Sequence, residues 1–252
     1  MSDRKIAFWF IALLSVLVLV PFLRETIFYS KGEPREAIVA YTMLESGNWI
    51  LPTNYGVEIA YKPPFLYWTI AVISSVLGGV TEFSARMPSA LAFLAMQLVF
   101  FSFVAKRKDV KTAFLTSILL LSSFEVHRAA VACRLDMLQV SLIVISLCLL
   151  FRWDEKNCKG IPWLAVLLMA CATLTKGPVG SIFPCLGIGV YQLLRGLFIA
   201  GHRVAVPHSF GHLVLGSLSA RRRGVCQFDA GREYRTFLPE NVLCIARESV
   251  VV

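Results

Sequence analysis

The sequence predicts an all-α polytopic membrane protein, with about six transmembrane helices and an amphipathic juxtamembrane helix in a long first extracytoplasmic loop. Three observations lead to this fold class. Hydrophobic residues make up 57% of the chain and charged residues only 16%, against roughly 25% charged in a soluble domain. Long apolar runs recur along the chain. Basic residues stand in short clusters between these runs, a pattern that the positive-inside rule explains better than nucleic-acid binding, so no nucleic-acid partner is expected.

The first apolar run covers residues 6–23 and contains no charge, which is about the length needed to cross the hydrocarbon core. A cleavable signal peptide is the competing interpretation. It is the weaker one, because residues 20–24 offer no small-residue cleavage site and the apolar run is longer than usual. We therefore expect an uncleaved helix with its amino terminus in the cytoplasm, where Arg4 and Lys5 would stay.

Residues 33–46 are predicted to form a short amphipathic helix along the membrane surface. Pro34 suits a first helical turn and Gly47 the position just past a helix end, and apolar residues keep helical spacing at Ala37, Ala40, Tyr41 and Leu44. Glu33 and Glu36 then share one face at the amino end, where the helix dipole favours negative charge. The pattern alone equally allows them to be ordinary first-turn residues.

Residues 65–80 are apolar, and their placement decides the topology of the rest of the chain. If they cross the membrane, the basic cluster at 106–111 lies outside, against the positive-inside rule. If they lie in the interface or re-enter, every basic cluster falls on the cytoplasmic side, and we expect this arrangement. The remaining spans are then residues 87–105, 113–124, 135–151, 161–174 and 178–199.

This topology places nine charged residues on the extracytoplasmic side, several of them at or near span ends. Ionisable groups so close to apolar spans are costly, so each is a functional candidate. The candidates are Glu33, Glu36, Lys62, Glu82, Arg86, Arg128, Arg134, Asp136 and Lys176. For Arg86, Arg128 or Lys176 taken alone, snorkelling to a lipid phosphate is the better explanation. Arg134 with Asp136 also suits an ordinary ion pair.

Five motifs in order carry a family resemblance. They read GEPREAIVAYTMLESGNWILP, YKPPFLYW, TEFSARMPSALAF, RLDMLQVSL and LTKGPVG. Together they resemble the amino-terminal half of a C-type membrane glycosyltransferase, in the bacterial group of the lipid A aminoarabinose transferases and the relatives of protein O-mannosyltransferases. The resemblance implies a multi-pass protein of the bacterial inner membrane. It also implies a polyprenyl-phosphate sugar donor, a lipid, glycan or protein acceptor, and an active site on the extracytoplasmic face.

Carried over residue by residue, Glu33 falls on the glutamate of the family's Asp-Glu pair, and Gly32 stands where the aspartate is usual. The catalytic role would then pass to Glu33 or Glu36. Lys62 matches the lysine of a Lys-Pro-Pro motif that is expected to hold the donor phosphate. The resemblance also places Arg86, Asp136 and Lys176 at family positions near the cavity and implies that they bind substrate.

The residue types suit an inverting transfer. Lys62, with Arg86 or Arg134 beside it, would stabilise charge on the departing phosphate. A hydroxyl acceptor needs a general base such as Glu33, whereas a phosphate acceptor needs none. The resemblance allows a divalent metal near this loop, although no His or Asp cluster predicts one, and no other cofactor is expected.

The chain is expected to divide into a transmembrane glycosyltransferase domain, residues 1–205, and an atypical tail, residues 206–252. Apolar periodicity fades in the tail, and an arginine triplet begins at Arg221. A frameshifted or truncated end is one explanation, and a short basic tail touching anionic lipid is the other. An inactive remnant that only binds lipid or a partner is therefore the alternative function. A transporter is the third choice, because polar residues sit at span ends rather than at the midplane.

Overall fold

The structure is a computed structural model that describes residues 3–24, 28, 32–54, 58–156 and 158–205. Within these ranges it is almost entirely helical, which confirms the predicted fold class. The helices are α1 Asp3–Arg24, α2 Gly32–Ser46, α3 Phe65–Leu77, α4 Glu82–Arg107, α5 Val110–Ser122, α6 Phe124–Ala130, α7 Leu135–Glu155, α8 Trp163–Lys176 and α9 Val179–Ala205. A two-stranded antiparallel hairpin joins β1 Thr53–Asn54 to β2 Glu58–Ile59. The predicted tail, residues 206–252, lies outside the described residues.

Among the described residues, three helices are long and apolar enough to cross a membrane. They are α1, α4 and α7, with 22, 26 and 21 residues. At 1.5 Å per residue the shortest covers about 31 Å, close to the thickness of a hydrocarbon core. The apolar helices α3, α5 and α8 have 13, 13 and 14 residues, so each covers only about 20 Å. The spans predicted at 113–124 and 161–174 are thus helical but short of a full crossing, and the length of α3 suits a segment in the interface.

Local signals explain several helix ends. Gly47, at φ +68°, follows the end of α2 as predicted. Thr81 and Ser84 form a capping box at the start of α4, with Ser84 N donating to Thr81 Oγ1 at 3.2 Å and Thr81 N donating to Ser84 Oγ at 2.9 Å. Helix α5 begins three residues before its predicted start, because the Asp109 carboxylate caps it by accepting a hydrogen bond from Thr112 N at 2.8 Å.

Helix α4 is central to the packing. It contacts α1, α3, α5 and α7, and α7 in turn packs against α8. One apolar core cluster between these helices contains Leu19, Phe93 and Met137. Within the bundle, Ser15 donates a hydrogen bond to Gln97 Oε1 at 3.2 Å, and Gln97 Nε2 donates to the Ser117 carbonyl at 3.2 Å. A buried amide in an apolar medium needs such partners, so these bonds tie α1, α4 and α5 together.

The bundle has two ends that matter for function. At one end the carboxyl end of α1, the amino ends of α4 and α7 and the carboxyl end of α8 meet, as contacts from Arg86 to Leu23 and from Lys176 to Asp136 show. We call it the α2 end, because α2 packs there. At the other end the start of α1 meets the last turns of α4, where Arg4 donates to the Ser102 carbonyl. We call it the Arg4 end. Both belong to the first of two compact units, Met1–Gln192 and Leu193–Val252.

Candidate active site

A charged cavity of about 210 Å³ opens at the α2 end of the bundle. Residues from the start of α2, the loop before α3, the start of α7 and the end of α8 form its wall. They are Gly32, Arg35, Glu36, Lys62, Arg134, Leu135, Asp136 and Lys176. Five of the seven residues predicted for the site, Glu36, Lys62, Arg134, Asp136 and Lys176, therefore surround one cavity, although they are up to 140 positions apart in the chain. Four cations and two carboxylates face this space.

Glu36 is the most deeply placed charge in the cavity wall. Its side chain is 2% exposed, while those of Lys62 and Arg35 are 32% and 45% exposed. Glu36 Oε1 accepts a hydrogen bond from Lys62 Nζ at 2.6 Å and another from Arg35 Nη2 at 3.3 Å. Glu36 Oε2 is buried, and the buried Tyr67 hydroxyl lies beside this carboxylate. One carboxylate oxygen thus holds the two cations in place, while the other lies buried behind the cavity wall.

Asp136 and Lys176 form a second ion pair across the cavity mouth, with Oδ1 and Nζ 2.5 Å apart. Both side chains are about half exposed, so the pair is open to solvent and to an incoming anion. The pair links the start of α7 to the end of α8. Arg134, just before α7, makes no ion pair with any residue that the structure describes, whereas Arg35, Lys62 and Lys176 each pair with a carboxylate. It is therefore the cavity cation with the least competition for a phosphate.

Glu33 and Arg86 do not line this cavity. Both are buried, at 1% and 0% exposure, and Arg86 Nε lies 3.4 Å from Glu33 Oε1. The same carboxylate oxygen accepts a hydrogen bond from the Cys133 amide at 2.9 Å, and the Arg86 guanidinium stacks 5.4 Å from the centre of the Phe28 ring. This arrangement ties α2 to α4 and to the turn before α7. It places the two residues as a support behind the cavity, whereas the sequence predicts direct catalytic and phosphate-binding roles.

The Cys133 thiol lies beside the same carboxylates but is not a candidate nucleophile. Burial raises the pKa of Cys133, and the Glu36 and Glu33 carboxylates raise this pKa further. Because the thiolate is the reactive form, a thiol held protonated in this way is inert. Among the described residues no group of three or more His, Cys, Asp or Glu side chains is placed to hold a metal ion.

Arg35 is a cavity residue that the motifs do not single out. A pattern that could have found it is the helical spacing of Gly32, Arg35 and Glu36, which are three and four positions apart and lie on one face of α2. Gly32 also lines the cavity, so the position where the family has an aspartate does face the site but brings no carboxylate to it.

The arrangement suits an anion with a phosphate group. The cavity is built from preorganised cations, and each of the two carboxylates is already matched by at least one of them. Cations held rigidly at a partly buried site stabilise a phosphate charge more strongly than the same groups in water. The six ionisable wall residues together carry a formal charge of +2, which balances the full charge of −2 on a phosphate monoester.

Comparisons with known proteins agree with this geometry. A family model described as dolichyl-phosphate-mannose-protein mannosyltransferase matches residues 61–216. An undecaprenyl phosphate-alpha-4-amino-4-deoxy-L-arabinose arabinosyl transferase of Shewanella sediminis is 34% identical over 170 residues, 66% of this chain and 31% of that protein. An uncharacterised protein of Aquifex aeolicus is 33% identical, over 66% of this chain and 37% of that protein. The chain thus spans about a third of the length of these relatives.

Solved structures show the same fold. The crystal structure of ArnT from Cupriavidus metallidurans bound to undecaprenyl phosphate matches with a TM-score of 0.63 and 24% identity, over 73% of this chain and 35% of that one. The apo structure of ArnT matches with a TM-score of 0.64 and 23% identity, over 89% of this chain and 44% of that one. At these identities the likeness concerns the fold.

Proposed function

The chain belongs to the dolichyl-phosphate-mannose-protein mannosyltransferase family, and from this premise we propose that it transfers a sugar from a polyprenyl-phosphate donor to a lipid, glycan or protein acceptor. The resemblance to C-type membrane glycosyltransferases is confirmed by the family match and by the relatives. We place the reaction at the extracytoplasmic face of a bacterial inner membrane, with the amino terminus of α1 in the cytoplasm, as the positive-inside rule favours.

The observation that carries this proposal is the cationic cavity at the α2 end. Lys62 and Arg134 would hold the donor phosphate, and Arg35 and Lys176 would add to the positive potential around it. The donor class rests on the cavity's charge and on the relatives, which include undecaprenyl phosphate-alpha-4-amino-4-deoxy-L-arabinose arabinosyl transferases. The crystal structure of ArnT bound to undecaprenyl phosphate supports a phosphate-linked lipid in the same fold.

In the proposed reaction a bond forms between the acceptor oxygen and the anomeric carbon, and the bond from that carbon to the donor phosphate oxygen breaks. The polyprenyl phosphate leaves with the electron pair, so negative charge grows on it in the transition state. Lys62 and Arg134 stabilise this charge because they are in place before the reaction begins. For a hydroxyl acceptor, the Glu36 carboxylate takes the proton, because it lines the cavity beside Lys62. A phosphate acceptor needs no base.

Glu36 is the proposed general base, and Glu33, which the sequence also predicts as catalytic, is the alternative. The Glu33 carboxylate faces Arg86 and the Cys133 amide away from the cavity wall. We therefore propose that Glu33 and Arg86 act as positioning residues, which fix the amino end of α2 so that Glu36 and Gly32 line the cavity.

The test is transfer of labelled sugar from a polyprenyl-phosphate donor in membranes that carry the full chain. Removal of one preorganised charge-stabilising group typically costs about 10²- to 10³-fold in rate, so Lys62→Gln and Arg134→Gln should each lose that much. Glu36→Gln should lose about 10²- to 10⁴-fold with a hydroxyl acceptor and much less with a phosphate acceptor. Lys111→Gln, at the Arg4 end, is the matched control and should keep full activity. Equal activity in all four variants would refute the assignment of the cavity.

One observation favours a second candidate, a protein that binds the donor without transferring the sugar. Gly32 supplies no side-chain carboxylate at the cavity position where the family has an aspartate. Donor binding and transfer are therefore measured separately. Saturable donor binding that Arg134→Gln weakens, with no transfer by the parent chain and transfer restored by Gly32→Asp, would favour this second candidate over the first.

A further inference from the structure

A second basic cavity, of about 310 Å³, lies at the Arg4 end of the bundle. It is formed by α1, α4 and α7, and all of its wall residues come from these three helices. Four of them are cations, Arg4, Lys106, Arg107 and Arg152. Because Arg4 begins α1 and Arg107 ends α4, this cavity lies at the membrane face opposite to the candidate active site and takes no part in the proposed transfer.

The cations of this cavity outnumber the carboxylates that face them. Arg107 pairs with Glu155 at 2.7 Å and lies over the Phe103 ring, with its guanidinium carbon 3.5 Å from the ring centre. Arg4 donates to the Ser102 carbonyl at 3.2 Å. Lys106 and Arg152 make no ion pair with a described residue, so two cations from different helices are available to an anion.

The remaining wall is apolar and lies deeper in the bundle. Phe8 is one turn from Arg4 along α1, and Leu149 is nearly one turn from Arg152 along α7. Leu98 lies eight residues before Lys106 on α4, about 12 Å toward the centre of the membrane. The cavity thus offers cations at the depth of the headgroups and an apolar surface at the depth of the acyl chains. A free inorganic anion would use only the first of these surfaces.

We infer that this cavity is a binding site for an anionic membrane phospholipid. The headgroup phosphate lies between Lys106 and Arg152, and Arg4 and Arg107 add to the potential. An acyl chain covers Phe8, Leu98 and Leu149. Basic residues beside a membrane surface each add to the attraction for anionic lipid, and a pocket between helices concentrates several of them on one headgroup. The bound lipid joins the ends of α1, α4 and α7 and so stabilises the bundle.

The experiment measures the thermal midpoint of the full chain in mixed micelles, from the loss of helical circular dichroism. The midpoint is followed as phosphatidylglycerol replaces phosphatidylcholine of the same acyl chains. For the parent chain it should rise and saturate. Lys106→Gln and Arg152→Gln should each raise the half-saturating mole fraction about fivefold, and the double variant more, because one basic residue near a membrane surface contributes about that factor. Both side chains are exposed, so folding should survive.

The control is Lys108→Gln, which removes the same charge from the same end of the bundle without touching the cavity wall. It should leave the half-saturating mole fraction unchanged. Three results would overturn the inference: equal stabilisation by phosphatidylcholine, an equal loss in Lys108→Gln, which means general surface attraction, or the same stabilisation by inorganic phosphate, which means a free-anion site.

Discussion

Substitution of the buried Glu33–Arg86 pair tests whether these residues hold α2 in place or take part in the reaction directly. In Arg86→Met the Glu33 carboxylate stays buried and loses the guanidinium that faces it at 3.4 Å. At that distance two unit charges attract by about 5 kcal/mol when the effective dielectric constant is about 20. Breaking one partner of a buried ion pair typically costs 3–5 kcal/mol, so we expect about 3 kcal/mol or more of lost stability.

The assay is the free energy of unfolding in mixed detergent micelles, measured for the parent, Arg86→Met, Glu33→Gln and the double variant. The double variant should regain a large part of the loss, because a neutral amide beside a methionine leaves no charge buried. Its donor affinity should recover along with its stability, since neither residue lines the cavity. If Arg86→Met were as stable as the parent, or if the double variant were stable but unable to bind donor, the supporting role would be refuted.

Three further predictions concern the cavity, the packing of α8 on α9 and the buried thiol. Arg134→Gln should weaken binding of the lipid phosphate about tenfold, as titration with a fluorescent polyprenyl phosphate would measure. The thermal midpoint should stay unchanged, because this cation makes no ion pair with a described residue; a lowered midpoint with normal binding would contradict the prediction. Gly180→Ala should lower the free energy of unfolding by about 1–3 kcal/mol, because a β-carbon there would lie 2.4 Å from a backbone carbon of α8. Gly189→Ala is the control and should lower it much less, because a β-carbon there meets nothing within 4 Å. Equal unfolding free energies of the two variants would contradict this. Cys133 should resist a maleimide that labels the exposed Cys158. It should also stay unlabelled at pH 9, because its raised pKa keeps the thiol protonated there. Mass spectrometry of the labelled peptides measures both, and labelling of Cys133 at pH 9 would contradict the prediction.

Residue patterns predicted much of the fold. Pro34 and Gly47 marked the extent of α2, and the apolar runs located α1, α4 and α7 to within a few residues at most ends. Local polar chemistry caused most of the differences. Asp109 caps α5 from within a basic cluster, so the helix begins inside a stretch that charge alone marks as a loop. The β1–β2 hairpin has two residues in each strand, too few for an alternating pattern to stand out.

Five of the predicted site residues surround one cavity, but the sequence did not predict which partners their side chains meet. Helical periodicity places Glu33 and Glu36 near one another at the start of α2, yet their carboxylates meet different partners. Glu36 meets Lys62 at the cavity, while Glu33 turns to Arg86 and the amide of Cys133. The two contacts of Glu33 join residues 53 and 100 positions apart, and no local pattern encodes such pairing.

The large sequence separation between Glu33 and its partners has a consequence for folding during synthesis. The Glu33 carboxylate needs an arginine made 53 residues later and an amide made 100 residues later. At about 5–20 residues per second, the second partner follows by roughly 5–20 s. During that interval α2 has no finished place to dock. The candidate cavity is therefore completed late in synthesis, since its wall also needs Lys176 at the end of α8. A pause in translation before Cys133 would leave the acidic helix α2 at the membrane surface without its docking partners.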